Sequence, residues 1–228
     1  LNNANALWRM DATNSYEELT ANQVITFSNF DRLTGGNNAG VGVNDRFQFG
    51  TGVTESFTLL GNGATPAVPP VPGPAVPAGF DVVEGSDNAD AFSLTGLNTG
   101  SVTVNGRTSS FSNVQSLEGG AGNDTFAVSL SGTLTRDIQG GTGTDTLTGD
   151  DNGNVFTVTS PNAGTLHESD GLTAKIVGGF INVEQLFGGL GADVFNVNDS
   201  LSGDGTAVGV PSSIAINAGA GQDTVTVA

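Results

Sequence analysis

Two stretches of this chain decide its fold: FSNVQSLEGGAGNDTFAV, residues Phe111–Val128, and FINVEQLFGGLGADVFNV, residues Phe180–Val197. They align without a gap, and their aromatic, asparagine, glycine and aspartate positions coincide. An earlier copy begins as FSNFDRLTGG at Phe27–Gly36 and resumes at Asn44–Phe47 after a few inserted residues. Long-range self-similarity is the signature of a repeat architecture, so we expect one supersecondary unit to occur several times.

Further modules flank this block and also recur. IQGGTGTDTLTGD (Ile138–Asp150) matches INAGAGQDTVTVA (Ile216–Ala228), and DVVEGSDNADAFSL (Asp81–Leu94) matches DTLTGDDNGNVFTV (Asp145–Val158). The sequence therefore predicts three imperfect long repeats, at residues 1–84, 85–148 and 149–228. Because the third copy ends where a fourth would start, we expect the segment to be part of a longer array.

A proline-rich insertion, ATPAVPPVPGPAVPAG (Ala64–Gly79), interrupts the first repeat and holds most of the prolines in the chain. Proline cannot donate a hydrogen bond to a strand ladder, so this stretch cannot be a central strand. We expect an extended surface loop or spacer. A proline-motif ligand for a partner and a linker between repeats are the alternatives.

Alternating apolar residues within the repeats indicate short β-strands. The chain has 13 Phe and 35 Gly, and short apolar runs between glycine-rich segments are typical of strands separated by tight turns. In Asp124–Val128 we expect Phe126 and Val128 to point inward and Thr125 outward. Asn and Gly accept the positive φ values that sharp corners require. Four phenylalanines are expected to form inward stacks: Phe92, Phe126, Phe156 and Phe195.

These strands are expected to stack as coils. One repeat cannot bury its own apolar face, whereas successive coils can cover one another. Asp124 and Asp145 are 21 residues apart, which suits one coil of a solenoid. The predicted fold class is therefore all-β, a right-handed parallel β-helix or β-roll solenoid of three imperfect long repeats. A β-sandwich of long repeats is the alternative, and the strongest helical pattern, at Tyr16–Ala21, is weak.

Charge and composition exclude several classes of function. The chain carries 23 acidic and 6 basic residues, a net charge of −17, so it lacks the basic stripe that binds nucleic acid. It has no cysteine, which excludes disulfides and Cys-ligated metals. No run approaches the ~18 apolar residues of a membrane span. The single histidine, His167, is expected in an exposed loop, and Trp8 and Met10 in a core or cap.

Glycine-rich turns that end in aspartate are the motif that could carry chemistry. GGAGNDTF (Gly119–Phe126), GGTGTDTL (Gly140–Leu147) and GGLGADVF (Gly188–Phe195) follow the pattern G-G-x-G-x-D-x-U, and Ala218–Val225 follows it loosely. With the Phe-x-Asn-Val-x-x-Leu block, these motifs resemble the RTX-type and haemagglutinin-like repeats of large secreted bacterial surface proteins, over nearly the whole chain. The resemblance implies an extracellular or bacterial cell-surface location and bound calcium, which prefers oxygen ligands of this kind.

The repeat is expected to stack the candidate calcium ligands, with Asp124 over Asp145 and Asp193 over Asp223. RTX proteins run the motif in tandem, whereas here it stands singly, so the sites would be separate and half-shared. The alternative is a metal-free turn whose aspartate caps backbone amides. The candidate ligands are the carboxylates of Asp45, Asp81, Asp124, Asp145, Asp193 and Asp223, with the turn carbonyls of Gly119, Gly120, Gly140, Gly141, Gly188 and Gly189.

The expected role is structural and not enzymatic: a stalk, an adhesin, or an element of a self-assembling surface filament or layer. Its partners would be neighbouring repeats or identical subunits, assembled head-to-tail or laterally. A calcium-dependent module that binds carbohydrate or another cell-surface ligand is the first alternative.

A polysaccharide lyase or epimerase is the less favoured alternative. Its carboxylate pair would be Asp150 with Asp151, or Glu168 with Asp170. Such sites usually place Lys, Arg, His or Tyr beside the carboxylates. Lys175, His167 and Tyr16 are expected to be isolated from one another, which disfavours a catalytic constellation.

Overall fold

The computed structural model describes residues 6–12, 14–18, 23–26, 32–35, 44–61, 80–198 and 214–227. These residues form 21 strands and no helix, so the prediction of an all-β chain is confirmed. No helix long and apolar enough to cross a bilayer occurs among them. The proline-rich insertion at 64–79 lies outside the described residues.

The strands fall into three groups of seven. The first group is β1 (Ala6–Met10), β2 (Ser15–Glu18), β3 (Gln23–Thr26), β4 (Arg32–Thr34), β5 (Asp45–Phe49), β6 (Thr58–Leu60) and β7 (Val82–Glu84). The second is β8 (Ala91–Gly96), β9 (Thr99–Val104), β10 (Arg107–Ser112), β11 (Ser116–Ala121), β12 (Thr125–Val128), β13 (Asp137–Thr142) and β14 (Thr146–Thr148). The third is β15 (Asn154–Ser160), β16 (Ala163–Glu168), β17 (Ala174–Ile181), β18 (Gln185–Phe187), β19 (Val194–Val197), β20 (Ala215–Asn217) and β21 (Thr224–Val227).

Two mixed sheets contain these strands. Sheet A has twelve, in the order β21-β19-β15-β16-β17-β13-β11-β7-β5-β1-β2-β3, and sheet B has nine, in the order β20-β18-β14-β12-β8-β9-β10-β6-β4. Each group of seven opens with a three-stranded antiparallel meander inside one sheet. The four strands that follow alternate between the sheets and pair in parallel with their neighbours.

Equivalent strands of successive groups lie in opposite sheets. The meanders β1–β3 and β15–β17 belong to sheet A, and the meander β8–β10 belongs to sheet B. The change of sheet follows from the alternation. After a meander in sheet A, the next four strands lie in sheets B, A, B and A, so the following meander begins in sheet B. The breaks between groups fall between β7 and β8 and between β14 and β15.

Side chains from both sheets form one buried core, as the alternating pattern predicts. In β12, Phe126 and Val128 are buried while Thr125 and Ala127 are exposed. Phe126 stacks on Phe92 of sheet B, with ring centroids 4.8 Å apart. Two further rings, Phe156 and Phe195, stack at 4.9 Å in sheet A. The predicted inward stacks are therefore present, as two pairs in different sheets.

The corners between strands use asparagine as predicted. Asn113 and Asn182, which occupy the same position in the two aligned blocks, have φ values of 55° and 52°. Asparagine tolerates this left-handed conformation better than other non-glycine residues. The residues that follow them, Val114 and Val183, are both fully buried.

The weak helical candidate at Tyr16–Ala21 is strand over its described part, Tyr16–Glu18, because β2 pairs antiparallel with both β1 and β3. Residues 19–21 lie outside the described residues. One local prediction is wrong. His167 is half-buried within β16 and not in an exposed loop, since β16 is the central strand of its meander. Met10 belongs to the core, as predicted. Trp8 is partly buried and packs against the core, with its ring centroid 6.3 Å from that of Phe47.

Candidate functional site: the glycine–aspartate turns

A glycine and an acidic residue five positions later define the turn that recurs between the sheets. Gly119 ends up beside Asp124, and the same spacing relates Gly140 to Asp145 and Gly188 to Asp193. A methyl group at Gly119 would overlap both the Asp124 carboxylate and the carbonyl oxygen of Gly140 in the neighbouring strand. The glycine is therefore required by close approach of the carboxylate and the adjacent backbone.

Turn residues that precede sheet B strands form a hydrogen-bonded ladder. The backbone N–H of Asp90 donates to Asp124 Oδ1 at 2.7 Å, and that of Asp124 donates to Asp145 Oδ1 at 2.8 Å. The Asp145 N–H in turn donates to Glu184 Oε2 at 2.8 Å. We call this row of side chains the 90–184 ladder. It brings Asp124 next to Asp145, the neighbour indicated by their 21-residue spacing.

Turn residues that precede sheet A strands repeat the arrangement in two shorter ladders. The 45–115 ladder runs from the Asp45 N–H to Asp81 Oδ1 at 3.0 Å, and from the Asp81 N–H to Gln115 Oε1 at 2.7 Å. The 154–223 ladder runs from the Asn154 N–H to Asp193 Oδ1 at 2.7 Å, and from the Asp193 N–H to Asp223 Oδ1 at 3.0 Å.

All six candidate aspartates thus occupy ladder positions, and four further members were missed. Asp90 and Asn154 lie five residues after Gly85 and Gly149, which is the spacing of the recognised turns. Gln115 and Glu184 hold the same position in the two aligned blocks, directly after the buried valine. Both side chains accept a backbone hydrogen bond, Gln115 from Asp81 and Glu184 from Asp145. Their shared position in the alignment was the sequence signal that could have identified them as ladder members.

The second carboxylate oxygen of several turns is buried without a hydrogen-bond partner. This holds for Oδ2 of Asp124, Asp145 and Asp193, each in a fully buried residue. Burial raises the pKa of Asp124 to about 7, with the charges of Asp145 and Asp90 acting in the same direction. Burial also raises the pKa of Asp90, Asp145 and Asp193. These sites therefore favour a neutral side chain at the position of the carboxylate.

Asn154 shows how a neutral side chain fits. Its Oδ1 accepts the Asp150 N–H at 3.4 Å, and its Nδ2 donates to the Asp150 carbonyl at 2.7 Å and to the Gly188 carbonyl at 3.4 Å. Nδ2 lies close to Gly149, as Asp124 Oδ2 lies close to Gly119. An equivalent acceptor is present near Asp124. The carbonyl oxygen of Gly140 lies beside Gly119, just as the carbonyl oxygen of Gly188 lies beside Gly149. A protonated Asp124 could therefore donate to the Gly140 carbonyl.

The ladder geometry bears on the metal expected from the motif. In the part of the chain that the structure describes, no group of three or more His, Asp or Glu side chains is placed to hold a metal ion. Oδ1 of Asp124 and Asp145 already accepts a backbone amide. A calcium ion there would need most of its six to eight ligands from backbone carbonyls or water.

The members of each carboxylate pair considered for an enzyme differ in burial. Asp150 is buried while Asp151 is exposed. Asp170 is also exposed, and hydrogen bonds from Thr173 and Leu172 hold its pKa below the usual range. The expectation that Lys175 is isolated is wrong, because the meander β15–β17 brings it within ion-pair distance of Asp150 and Glu168. The sequence concealed this because Glu168 and Lys175 lie outside the recurring modules, and Asp150, although inside two of them, aligns with Ser86 and Ala228 in the other copies.

Comparison of the chain with protein-family models, curated proteins and solved structures finds no match.

Proposed function

We propose that this chain is a non-enzymatic structural repeat segment of an extracellular or bacterial cell-surface protein, serving as a stalk, an adhesin or an element of an assembled surface layer. The observation that carries the proposal is the seven-strand group, which occurs three times and adds each time to the same two sheets. A chain built in this way extends by repetition and needs no separate core for each repeat.

We further propose that the two sheets are faces of a right-handed parallel β-solenoid interrupted by three meanders. The alternation of β11, β12, β13 and β14 between sheets supports it, because each strand pairs in parallel with the strand two positions away. Crossover connections between parallel strands of one sheet are overwhelmingly right-handed. The turn ladders support it as well, since they join the same corner of successive coils.

The turn chemistry supports a structural role over a catalytic one. The recurring acidic residues use their oxygens to satisfy backbone amides of the neighbouring strand, as at Asp124 and Asp193. An amide that loses its partner in the core costs about 1–3 kcal/mol. A net charge of −17 suits a solvated external surface that resists nonspecific association.

Small-angle X-ray scattering of the purified chain tests the architecture, and we expect an elongated particle. A compact, near-spherical particle of monomer mass would contradict the solenoid.

A glycan array and incubation with anionic polysaccharides test the passive role, for which neither binding nor product release is expected. Specific glycan capture would favour the binding module, and released unsaturated products would favour the lyase.

Calcium stabilisation is the second proposal, and one observation favours it. Three buried carboxylate oxygens, on Asp124, Asp145 and Asp193, lack a hydrogen-bond partner and could face a cation. A ligand that binds only the folded chain must raise its melting temperature. Calcium titration at pH 7.5 followed by thermal unfolding tests this, with magnesium as the control. An unchanged melting temperature would leave the metal-free turn as the account of the motif.

A further inference from the structure

Lys175 is the single lysine of the chain and is fully buried. Lysine is almost never found completely buried unless it is paired. Here its Nζ donates to the carbonyl oxygens of Leu130 at 2.7 Å and Ser129 at 3.3 Å, in the turn after β12. The single lysine of the chain is therefore a core residue, and its role is not to solubilise the surface.

A β-bulge delivers Lys175 to this position. In the pairing of β16 with β17, His167 lies opposite Ala174 and Leu166 lies opposite Ile176, so Lys175 is the extra residue between them. A regular strand would place Lys175 and Ile176 on opposite faces, yet both are buried. Bulges commonly redirect a side chain toward a functional site.

Two carboxylates meet the lysine amine. Asp150 Oδ2 lies 2.5 Å from Lys175 Nζ, and both side chains are essentially inaccessible to solvent. This contact lacks the angles of a hydrogen bond, although the atoms touch. Asp150 Oδ1 accepts the Asn152 N–H at 2.8 Å, which fixes the carboxyl group. Glu168 Oε1 lies 3.0 Å from Nζ on the more open side.

We propose that Lys175 and Asp150 join through an intramolecular isopeptide bond, with Glu168 transferring the protons. A proton passes from the Lys175 ammonium to Asp150 through Glu168, leaving a neutral amine and the neutral carboxylic acid of Asp150. The lone pair of Nζ attacks Asp150 Cγ, and Glu168 carries the amine proton to the departing hydroxyl. The Nζ–Cγ bond forms, the Cγ–Oδ2 bond breaks and one water leaves, without oxidation, reduction or a co-reactant.

Burial and fixed geometry make this reaction feasible in the folded chain. Holding two reacting groups in contact converts a slow bimolecular condensation into an intramolecular step. A charged pair withdrawn from water is costly, and amide formation removes both charges. The bond would connect the entry of β15 to β17 and close the meander covalently, in a chain without cysteine for disulfides. The proposal does not depend on the function of the whole segment.

Intact mass and trypsin cleavage of the purified, denatured chain test the proposal. We expect a mass about 18 Da below that of the sequence, the mass of one water. Trypsin should fail to cleave after Lys175, so that residues 137–228 stay together as one fragment once the chain is cut after Arg136. A chain with the full sequence mass that trypsin cleaves after Lys175 overturns the proposal.

Variants separate this bond from other losses of water. Asp150→Ala and Glu168→Gln should both keep the full mass and reopen the trypsin site, while Asp151→Asn, which changes the exposed neighbour, should still crosslink. Circular dichroism checks that Glu168→Gln is folded. If the wild-type chain has lost water but is cleaved after Lys175, the lost water belongs to another group, such as an Asp–Gly succinimide, and the proposal fails. A crosslink that forms equally well in Glu168→Gln overturns the role of Glu168.

Discussion

At the scale of single residues, the turn aspartates combine a structural hydrogen bond with an unfavourable burial of charge. Asp124 accepts the Asp90 amide through Oδ1, while its Oδ2 is buried without a hydrogen-bond partner. The hydrogen bond favours the charged carboxylate, whereas the burial of Oδ2 disfavours it. The pKa of Asp124 is raised to about 7, so the effect of burial is the larger. The ladder is therefore most stable when Asp124 carries a proton.

Replacing Asp124 with Asn should make the chain less sensitive to alkaline pH. The wild-type folded pKa is about 7, against about 3.9 in an unfolded chain, so the stabilisation is complete below about 3.9 and lost as pH rises through 7. We expect the stability of Asp124→Asn relative to wild type to increase by roughly 1–4 kcal/mol between pH 4 and pH 8. Urea unfolding across this range measures it.

Asp170→Asn provides a control of opposite sign. The pKa of Asp170 is lowered by hydrogen bonds from Thr173, so its contribution is present above the unfolded pKa and lost as pH falls. Its substitution should lower stability at pH 8 and have less effect at pH 4. Parallel curves for Asp124→Asn and wild type would show that Asp124 does not hold a proton in the fold.

Close approach at the turn glycine makes a second residue-scale prediction. Gly119→Ala should destabilise the chain by about 1–3 kcal/mol, because its methyl group meets the Gly140 carbonyl and the Asp124 carboxylate. Gly96→Ala, whose nearest neighbour would be an ordinary contact at 3.7 Å, should change stability by less than about 1 kcal/mol. Thermal unfolding compares the two, and equal effects would contradict a role for close approach.

At the scale of strands, the sequence could predict which residues face inward but not which sheet they join. Phe126 and Phe156 sit in the same alternating pattern, yet one lies in sheet B and the other in sheet A. The pattern reports burial, and burial is the same in both sheets. The Lys175 cluster escaped prediction for a related reason, because a bulge places this side chain where regular alternation would not.

The two phenylalanine pairs should therefore be energetically separate. A double-mutant cycle of Phe92→Leu and Phe126→Leu should show a coupling of about 0.5–1.5 kcal/mol, the usual contribution of a stacked aromatic pair. The cycle of Phe126→Leu with Phe195→Leu should show coupling below about 0.5 kcal/mol, since these rings belong to different stacks. Comparable coupling in both cycles would contradict two independent stacks.

At the scale of the whole molecule, we propose that copies assemble through the terminal strands of the two sheets. Among the described residues, β21 and β20 end the sheets on one side, and β3 and β4 end them on the other. Val225 of β21 is 54% exposed, whereas its parallel partner Phe195 is fully buried. An open strand edge with apolar side chains favours pairing with another strand.

We accordingly expect concentration-dependent self-association that a charge on this edge weakens. Val225→Lys should shift sedimentation toward the monomer, because a lysine on an edge strand opposes further pairing. Val177→Lys is the matched control, since Val177 is 65% exposed but lies on β17, which is already paired on both sides by β16 and β13. Both variants add the same charge to an acidic chain, so repulsion between whole molecules changes equally. A wild-type chain that stays monomeric at every concentration, or equal loss of association in both variants, would show that the strand edges do not join copies.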